Sequence, residues 1–138
     1  MTLVREIKPG VFSIGAIDWD RRLFDALIAL PDGTSYNSYL VRGKNKIALI
    51  DAVDSTMADV LIENLNALGI KKIDYIIVQH AEQDHTGSLG RLVELYPDST
   101  VAGSARCLEL LVEFGLVDKK RTQELKDGDV IDLGGKSL

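Results

Sequence analysis

The chain changes its hydrophobic pattern at Asp51, and this change limits the possible folds more than any other feature. Four short apolar segments precede it, at residues 10–14, 27–30, 36–41 and 47–50, with turn residues between them. Short segments joined by such turns predict an antiparallel meander. After Asp51, helical and strand-like segments alternate, which is typical of parallel α/β structure.

The first helix after Asp51 has an apolar face from Met57 to Leu68, with Asp54 or Ser55 as its N-cap and Gly69 at its end. An apolar strand without alternation follows at residues 73–79, and this pattern predicts burial on both faces. The later predicted elements are a helix from Gly87 to Tyr96, a strand at 100–102, a helix capped by Ser104 and ended by Gly115, strands at 122–125 and 130–133, and a hairpin turn at 134–135.

The composition is that of one soluble domain. The 138 residues include 46% hydrophobic residues, and the net charge of −5 argues against nucleic acid as a partner. No apolar run approaches the roughly 20 residues of a membrane-spanning helix, and the N-terminus lacks the pattern of a signal peptide. We therefore expect a cytoplasmic protein. The single cysteine, Cys107, lies among apolar residues and is predicted to be a buried, unreactive thiol.

Four potential metal ligands lie within six residues, directly after the apolar run 75–78. They are His80, Glu82, Asp84 and His85, and the two histidines are the only ones in the chain. In an extended loop, His80 and Glu82 point the same way, and Asp84 and His85 reach a second position. The alternative is a polar loop whose histidines cap a helix. Four such residues together favour a metal, because carboxylates near a strand end need a counter-charge.

The types of ligand indicate which metal is bound. Two imidazoles and two carboxylates form a harder donor set than a cysteine-rich site, and they suit iron or manganese better than structural zinc. Iron is the first expectation and zinc the second. Asp84 has an alternative role as a base or as a group that orients a ligand histidine.

The segment H-x-E-x-D-H, followed by Thr-Gly-Ser-Leu at 86–89, closely resembles the flavodiiron proteins, also called A-type flavoproteins. Segments 18–20, 33–40, 49–51 and 129–136 agree with this resemblance. It implies a metallo-β-lactamase fold, an α/β (α+β) αββα sandwich made of two similar halves. Hydrolases of that superfamily usually have H-x-H-x-D-H, so Glu82 favours a diiron redox site over a dizinc hydrolytic site.

The resemblance also implies roles for the motif. His80 and Glu82 would bind one iron, and Asp84 and His85 would belong to the other. The family reduces dioxygen to water or nitric oxide to nitrous oxide, with electrons from FMN on a following flavodoxin-like domain. Nothing in this chain resembles that flavin domain. The family also uses a histidine in a tryptophan- and proline-containing segment, an aspartate and a further histidine, none of which has a counterpart here.

Residues 1–138 are therefore expected to form the N-terminal half of a metallo-β-lactamase-like domain. Half of a sandwich leaves one apolar sheet face uncovered. We therefore expect this face to be buried either in a homo-oligomer or against the missing C-terminal half. The expected partners are a redox protein or flavin domain and a small substrate, oxygen or nitric oxide. The chain alone is expected to be catalytically incomplete. The alternatives are a non-catalytic metal-binding half-domain and, disfavoured by Glu82, a zinc-dependent hydrolase.

Overall fold

The computed structural model describes residues 4–138. It contains eleven short strands: β1 (Arg5–Lys8), β2 (Val11–Ser13), β3 (Ala16–Asp18), β4 (Leu23–Phe24), β5 (Ile28–Ala29), β6 (Thr34–Tyr36), β7 (Tyr39–Arg42), β8 (Ile47–Ile50), β9 (Tyr75–Ile77), β10 (Thr100–Gly103) and β11 (Thr122–Glu124). The α-helices in this range are α1 (Ala58–Ala67), α2 (Gln83–Thr86), α3 (Leu89–Leu95) and α4 (Ala105–Glu113), with 3₁₀ turns at Ser55–Met57 and Lys119–Arg121.

Seven strands form the main sheet, in the order β1-β2-β7-β8-β9-β10-β11. The pairs from β1 to β8 are antiparallel, and those from β8 to β11 are parallel. The change of direction falls at β8, directly before Asp51. The predicted change from meander to parallel α/β structure is therefore confirmed.

One face of the main sheet carries the larger core. The register aligns Leu40, Leu49, Ile76 and Val101 across four neighbouring strands, and all four are fully buried. Helices α1, α3 and α4 cover this face with leucines at 61, 65, 89, 92, 108 and 111. This spacing of apolar residues is what the sequence predicted for the three helices.

The second face of the sheet is covered only in part. Val41 and Ala48 are buried beneath Ile131 and Leu133, which belong to the C-terminal segment. That segment is held to the β7–β8 turn by backbone bonds, since the N–H groups of residues 45 and 46 both donate to the Leu133 carbonyl at 3.1 Å. Beyond this cover, residues 50, 75 and 77 remain half-buried. The expectation that segment 73–79 is buried on both faces was therefore wrong for the second face.

Three predicted strands differ from the structure. The predicted strand 130–133 forms only an isolated antiparallel bridge between Asp132 and Ser137. Of residues 27–30, only Ile28–Ala29 form a strand, and they pair with β4 in a separate exposed hairpin, not with the main sheet. The predicted strand 36–41 is divided into β6 and β7. The buried Ser38 separates them, because its hydroxyl donates to the Asp51 carbonyl and its own carbonyl accepts from the Ile14 N–H. As a result β6 pairs with β3, and only β7 joins the sheet.

The helix ends agree with the sequence. Asp54 accepts a hydrogen bond from the Thr56 N–H, and Ser104 accepts one from the Cys107 N–H. Gly69 and Gly115 have positive φ angles of 67° and 70°, as expected of residues that end helices. Cys107 is buried, and burial raises the pKa of its thiol. Within residues 4–138, no helix has the length and apolar character needed to cross a bilayer.

Candidate metal site

The candidate ligands lie at the C-terminal ends of the parallel strands β8 and β9, where α/β folds commonly place their sites. The loop that holds them, residues 79–85, is called the metal loop below. It begins after β9 and continues into α2, so Asp84 and His85 are helical and not extended. The short helix lets the backbone N–H of His85 donate to the Glu82 carbonyl at 3.0 Å, which makes the loop compact.

His80 and Glu82 form the outer pair of the metal loop. The His80 Nε2 atom lies 3.1 Å from Glu82 Oε1, and their side chains are 56% and 57% exposed. Their two donor atoms face the same space, which is the arrangement expected for alternate residues of an extended segment. The His80 ring also lies edge-on to that of His85, with 5.5 Å between ring centroids.

Asp84 and His85 form the inner pair. The Nε2 atom of His85 lies 3.5 Å from Asp84 Oδ2, and its Nδ1 atom lies 2.9 Å from Asp51 Oδ2. When Nδ1 donates its proton to the Asp51 carboxylate, Nε2 carries the free lone pair on the side of Asp84. A carboxylate behind a histidine in this way fixes the ring orientation that a metal ligand needs.

Asp51 was not identified from the sequence as a member of the site. Its carboxylate is buried and also accepts hydrogen bonds from the Gln79 N–H at 2.8 Å and from Gln79 Nε2 at 3.3 Å. Its φ angle of 57° is uncommon outside glycine and turns the carboxylate toward the metal loop. The available signal was an aspartate directly after an apolar strand, one strand away from the histidines.

The Asp84 carboxylate carries the clearest sign of a missing positive charge. Its Oδ1 atom is buried and has no hydrogen-bond partner among the described residues. A buried carboxylate oxygen without a partner is unfavourable, and a cation would satisfy it. The donor set therefore fits a metal ion. However, no three histidine, cysteine or acidic side chains within residues 4–138 are arranged to hold one, so the four residues form two pairs and not one complete site.

A cavity of about 360 Å³ opens beside the metal loop. Phe24 and Phe114 contribute apolar walls to it, and Glu82 and Asp84 line it from the loop. Tyr36 also lines it, and burial, followed by the nearby Asp54, raises the pKa of its phenol. The phenol is thus protonated at neutral pH.

An ion pair fixes the β4–β5 hairpin beside this cavity. The Arg21 guanidinium lies 3.5 Å from the Asp54 carboxylate, and its Nε atom donates to the Leu23 carbonyl at 2.9 Å. The Arg21 N–H in turn donates to the buried Asp18 carboxylate. Sequence reasoning did not identify Arg21, Tyr36 or Asp54 as neighbours of the site, because their contacts join segments that are distant in sequence.

Comparison with known proteins shows the family to which the chain belongs. The sequence model of the metallo-beta-lactamase superfamily matches residues 31–138. The chain belongs to this superfamily. Within it, the chain is 36% identical over 135 residues to the Flavo-diiron protein FprA2 of Clostridium acetobutylicum, and 34% identical over 135 residues to the Anaerobic nitric oxide reductase flavorubredoxin of Vibrio vulnificus. These matches cover 96% of this chain but only 34% and 27% of the relatives.

Structural comparison places the chain in the same group of metallo-beta-lactamase folds. The rubredoxin oxygen:oxidoreductase of Desulfovibrio gigas matches 98% of this chain and 34% of its own chain, with a TM-score of 0.90 and 31% identity. The matched region is the N-terminal part of the flavodiiron relatives. The resemblance inferred from the H-x-E-x-D-H motif, and the expected half of a metallo-β-lactamase-like domain, are therefore confirmed.

Proposed function

We propose that the metal loop supplies half of the ligand set of a diiron centre in an oxidoreductase that reduces oxygen or nitric oxide. The observation that carries this proposal is the Asp84 Oδ1 atom, buried without a partner beside the lone pair of a histidine that Asp51 orients. His80 and Glu82 would hold one iron, and Asp84 and His85 would hold the second. Further ligands from outside the metal loop complete the coordination, since four side chains do not satisfy two iron ions.

A bound diiron pair would pass electrons from the redox partner to a small oxygen- or nitrogen-containing molecule and would supply positive charge for its reduction. The residues of this chain prepare the surroundings. Asp51 orients His85, and the hairpin held by Arg21 and Asp54 forms one side of the cavity. Phe24 and Phe114 give the cavity an apolar part beside its charged lining. Tyr36 adds a protonated phenol to the cavity lining.

The electron donor is proposed to be a flavin-bearing domain or redox protein. The D. gigas relative is named for its reaction with rubredoxin, and relatives of this family carry diflavin names. We propose a cytoplasmic location, and we further propose that residues 4–138 act as one half of a catalytic domain. The half-buried second sheet face, with residues 50, 75 and 77, would contact either the rest of such a domain or a second copy of this chain.

Metal binding tests the proposal directly. The chain, purified without chelators, is titrated with Fe²⁺ and separately with Zn²⁺ under argon, and bound metal is measured by mass spectrometry and calorimetry. We expect binding to weaken by about tenfold or more in each of His80→Ala, Glu82→Ala and Asp84→Asn, because each variant removes a ligand atom. Glu63→Ala serves as the control, since Glu63 is an exposed acid on α1, away from the loop.

Equal metal content in the three ligand variants and the control would remove the metal assignment. A clear preference for Zn²⁺ over Fe²⁺ would favour the hydrolase alternative. The choice of substrate is tested with reduced flavin as electron donor, as consumption of oxygen or of nitric oxide. Metal binding without either activity would favour the alternative function, that of a non-catalytic metal-binding half-domain.

A further inference from the structure

A second constellation of charged residues lies at the end of the main sheet opposite the metal loop. It surrounds a cavity of about 290 Å³ between the β1–β2 turn, the β7–β8 turn and the C-terminal hairpin. The charged residues that line it are Arg42, Lys44 and Lys136, and no acidic side chain lines it. We call this cavity the basic cleft. It is unusual in a chain whose net charge is −5.

Glycines hold the two lysine side chains in place. A Cβ atom added to Gly10 would lie 2.8 Å from Lys136 Cε, so the Lys136 side chain uses the space that this glycine leaves. A Cβ atom added to Gly135 would lie 3.5 Å from Lys44 Cε, which is ordinary contact distance. Each lysine therefore packs on a glycine from another turn, and two segments contribute the cations that line the cavity: Arg42 and Lys44 at the β7–β8 turn, and Lys136 in the C-terminal hairpin.

The positive charge of the basic cleft is not neutralised within residues 4–138. Neither Lys44 nor Lys136 takes part in an ion pair or a side-chain hydrogen bond there. Two acids bond to the backbone of the turns that line the cleft, because Glu6 accepts from the Gly10 N–H and Asp132 accepts from the Gly134 N–H. By comparison, the lysines at 72, 120 and 126 each pair with a neighbouring acid, whereas those at 8, 71 and 119 do not pair with any acid in the part of the chain that the structure describes.

Arg42 forms a fixed part of the basic cleft. Its guanidinium donates to the Leu68 carbonyl at 3.0 Å and lies 5.5 Å from the centroid of the Phe12 ring. These two contacts restrain the side chain without removing its charge. Two ammonium groups beside one restrained guanidinium suit a dianion.

We propose that the basic cleft binds the phosphate group of a small molecule. A cavity of about 290 Å³ accommodates a phosphate or pyrophosphate group. Only three cations of residues 4–138 line the cleft, and the chain as a whole is negatively charged. Both properties disfavour a long polyanion such as nucleic acid. This inference is independent of the metal loop, which lies at the other end of the strands.

The test uses the 138-residue chain labelled with ¹⁵N and titrated with inorganic pyrophosphate, while chloride keeps the ionic strength constant. We expect saturable shifts of the amide signals of Gly10, Lys44 and Gly135. The double variant Lys44→Gln/Lys136→Gln should bind about tenfold more weakly, because it loses two charge-assisted contacts. The matched control, Lys119→Gln/Lys120→Gln, removes the same charge from another surface and should bind like the wild type. Retained amide dispersion shows that each variant is folded.

Shifts that do not saturate, or equal weakening in both double variants, would show general ionic screening and overturn the proposal. Vesicles of phosphatidylglycerol, compared with phosphatidylcholine, distinguish the source of the phosphate. Sedimentation with the anionic vesicles that pyrophosphate reverses would assign the group to a lipid headgroup, and saturable pyrophosphate binding without sedimentation would assign it to a soluble molecule. Tighter binding of a polyglutamate peptide to the same amides would overturn the proposal in favour of an acidic protein partner.

Discussion

Asp51 joins the two ends of the metal loop, because one carboxylate accepts hydrogen bonds from both Gln79 and His85. In Asp51→Asn an amide NH₂ replaces one acceptor oxygen, so one of these contacts is lost. We expect Fe²⁺ affinity to fall by about tenfold or more. We also expect the free energy of unfolding to fall by about 1–3 kcal/mol. Calorimetry and urea unfolding measure the two effects.

The substitution should add no backbone strain, because asparagine also tolerates the positive φ angle of position 51. Asp59→Asn is the matched control: Asp59 is an exposed acid on α1 that pairs with Arg91. If Asp51→Asn and Asp59→Asn bind metal equally well, Asp51 does not orient His85 for a metal.

Asp74 predicts a stability that depends on pH. Burial acts to raise the pKa of its carboxyl group, but hydrogen bonds from Lys72 and the Ile47 N–H outweigh burial and lower it. The folded pKa is thus below the unfolded value of about 3.9. The charged carboxylate stabilises the fold above that value, and the stabilisation disappears as the pH falls through the folded pKa.

We therefore expect the wild type to exceed Asp74→Asn in free energy of unfolding at neutral pH, and the difference to shrink below about pH 4. Urea unfolding at a series of pH values measures it. A difference that is constant from neutral to acid pH would contradict a role for the charge and would assign the effect to the loss of a hydrogen-bond acceptor.

At the scale of elements, the β4–β5 hairpin contains avoidable strain. Its two turn residues, Asp25 and Ala26, have φ angles of 49° and 57°, and the Leu27 N–H donates to the Phe24 carbonyl across the turn. These are the features of a type I′ turn, in which glycine is preferred at the second position. We expect Ala26→Gly to raise the free energy of unfolding by about 0.5–1 kcal/mol. Thermal and urea unfolding test this, and a destabilised variant would show that the strain is not relieved.

Arg121 links three elements through its guanidinium group. It donates to the carbonyls of Val93, Tyr96 and Ser99, which lie at the end of α3 and in the turn before β10. Lysine keeps the charge but cannot reach several acceptors in one plane. We expect Arg121→Lys to lower the free energy of unfolding by about 1–3 kcal/mol. Lys120→Met, at an exposed neighbouring position, should change it by less than about 0.5 kcal/mol.

The elements that the sequence predicted well are those whose signals are local. The N-caps at Asp54 and Ser104 and the terminating glycines at 69 and 115 act within one helical turn, so the helix ends agreed with expectation. The strand division at Ser38 was missed because its cause is a bond to Asp51, which is distant in sequence. The candidate ligands were found because they lie within six residues, whereas Asp51 and Tyr36 approach them only through tertiary folding.

At the scale of the whole molecule, the second sheet face predicts association that persists in salt. Ile77 is half-buried there, and Val130 is 70% exposed beside the buried Ile131. Apolar contacts are not screened by salt. We expect concentration-dependent sedimentation that is similar at low and high ionic strength and is reduced in Ile77→Lys/Val130→Lys. Leu95→Lys, at an exposed position on α3, is the control. A monomer at every concentration would contradict the association.

The C-terminal segment that caps this face also affects how the chain folds. Leu133 bonds to the β7–β8 turn, about 90 residues earlier in sequence, so the second core cluster requires closure of a very long loop. Contacts of such separation form late and slow the overall reaction. During synthesis on a ribosome, β7 and β8 would emerge long before the C-terminal segment. Val41 and Ala48 would stay exposed to solvent until residues 131–133 had been made. The interval between the synthesis of these two segments is when the nascent chain is most susceptible to aggregation.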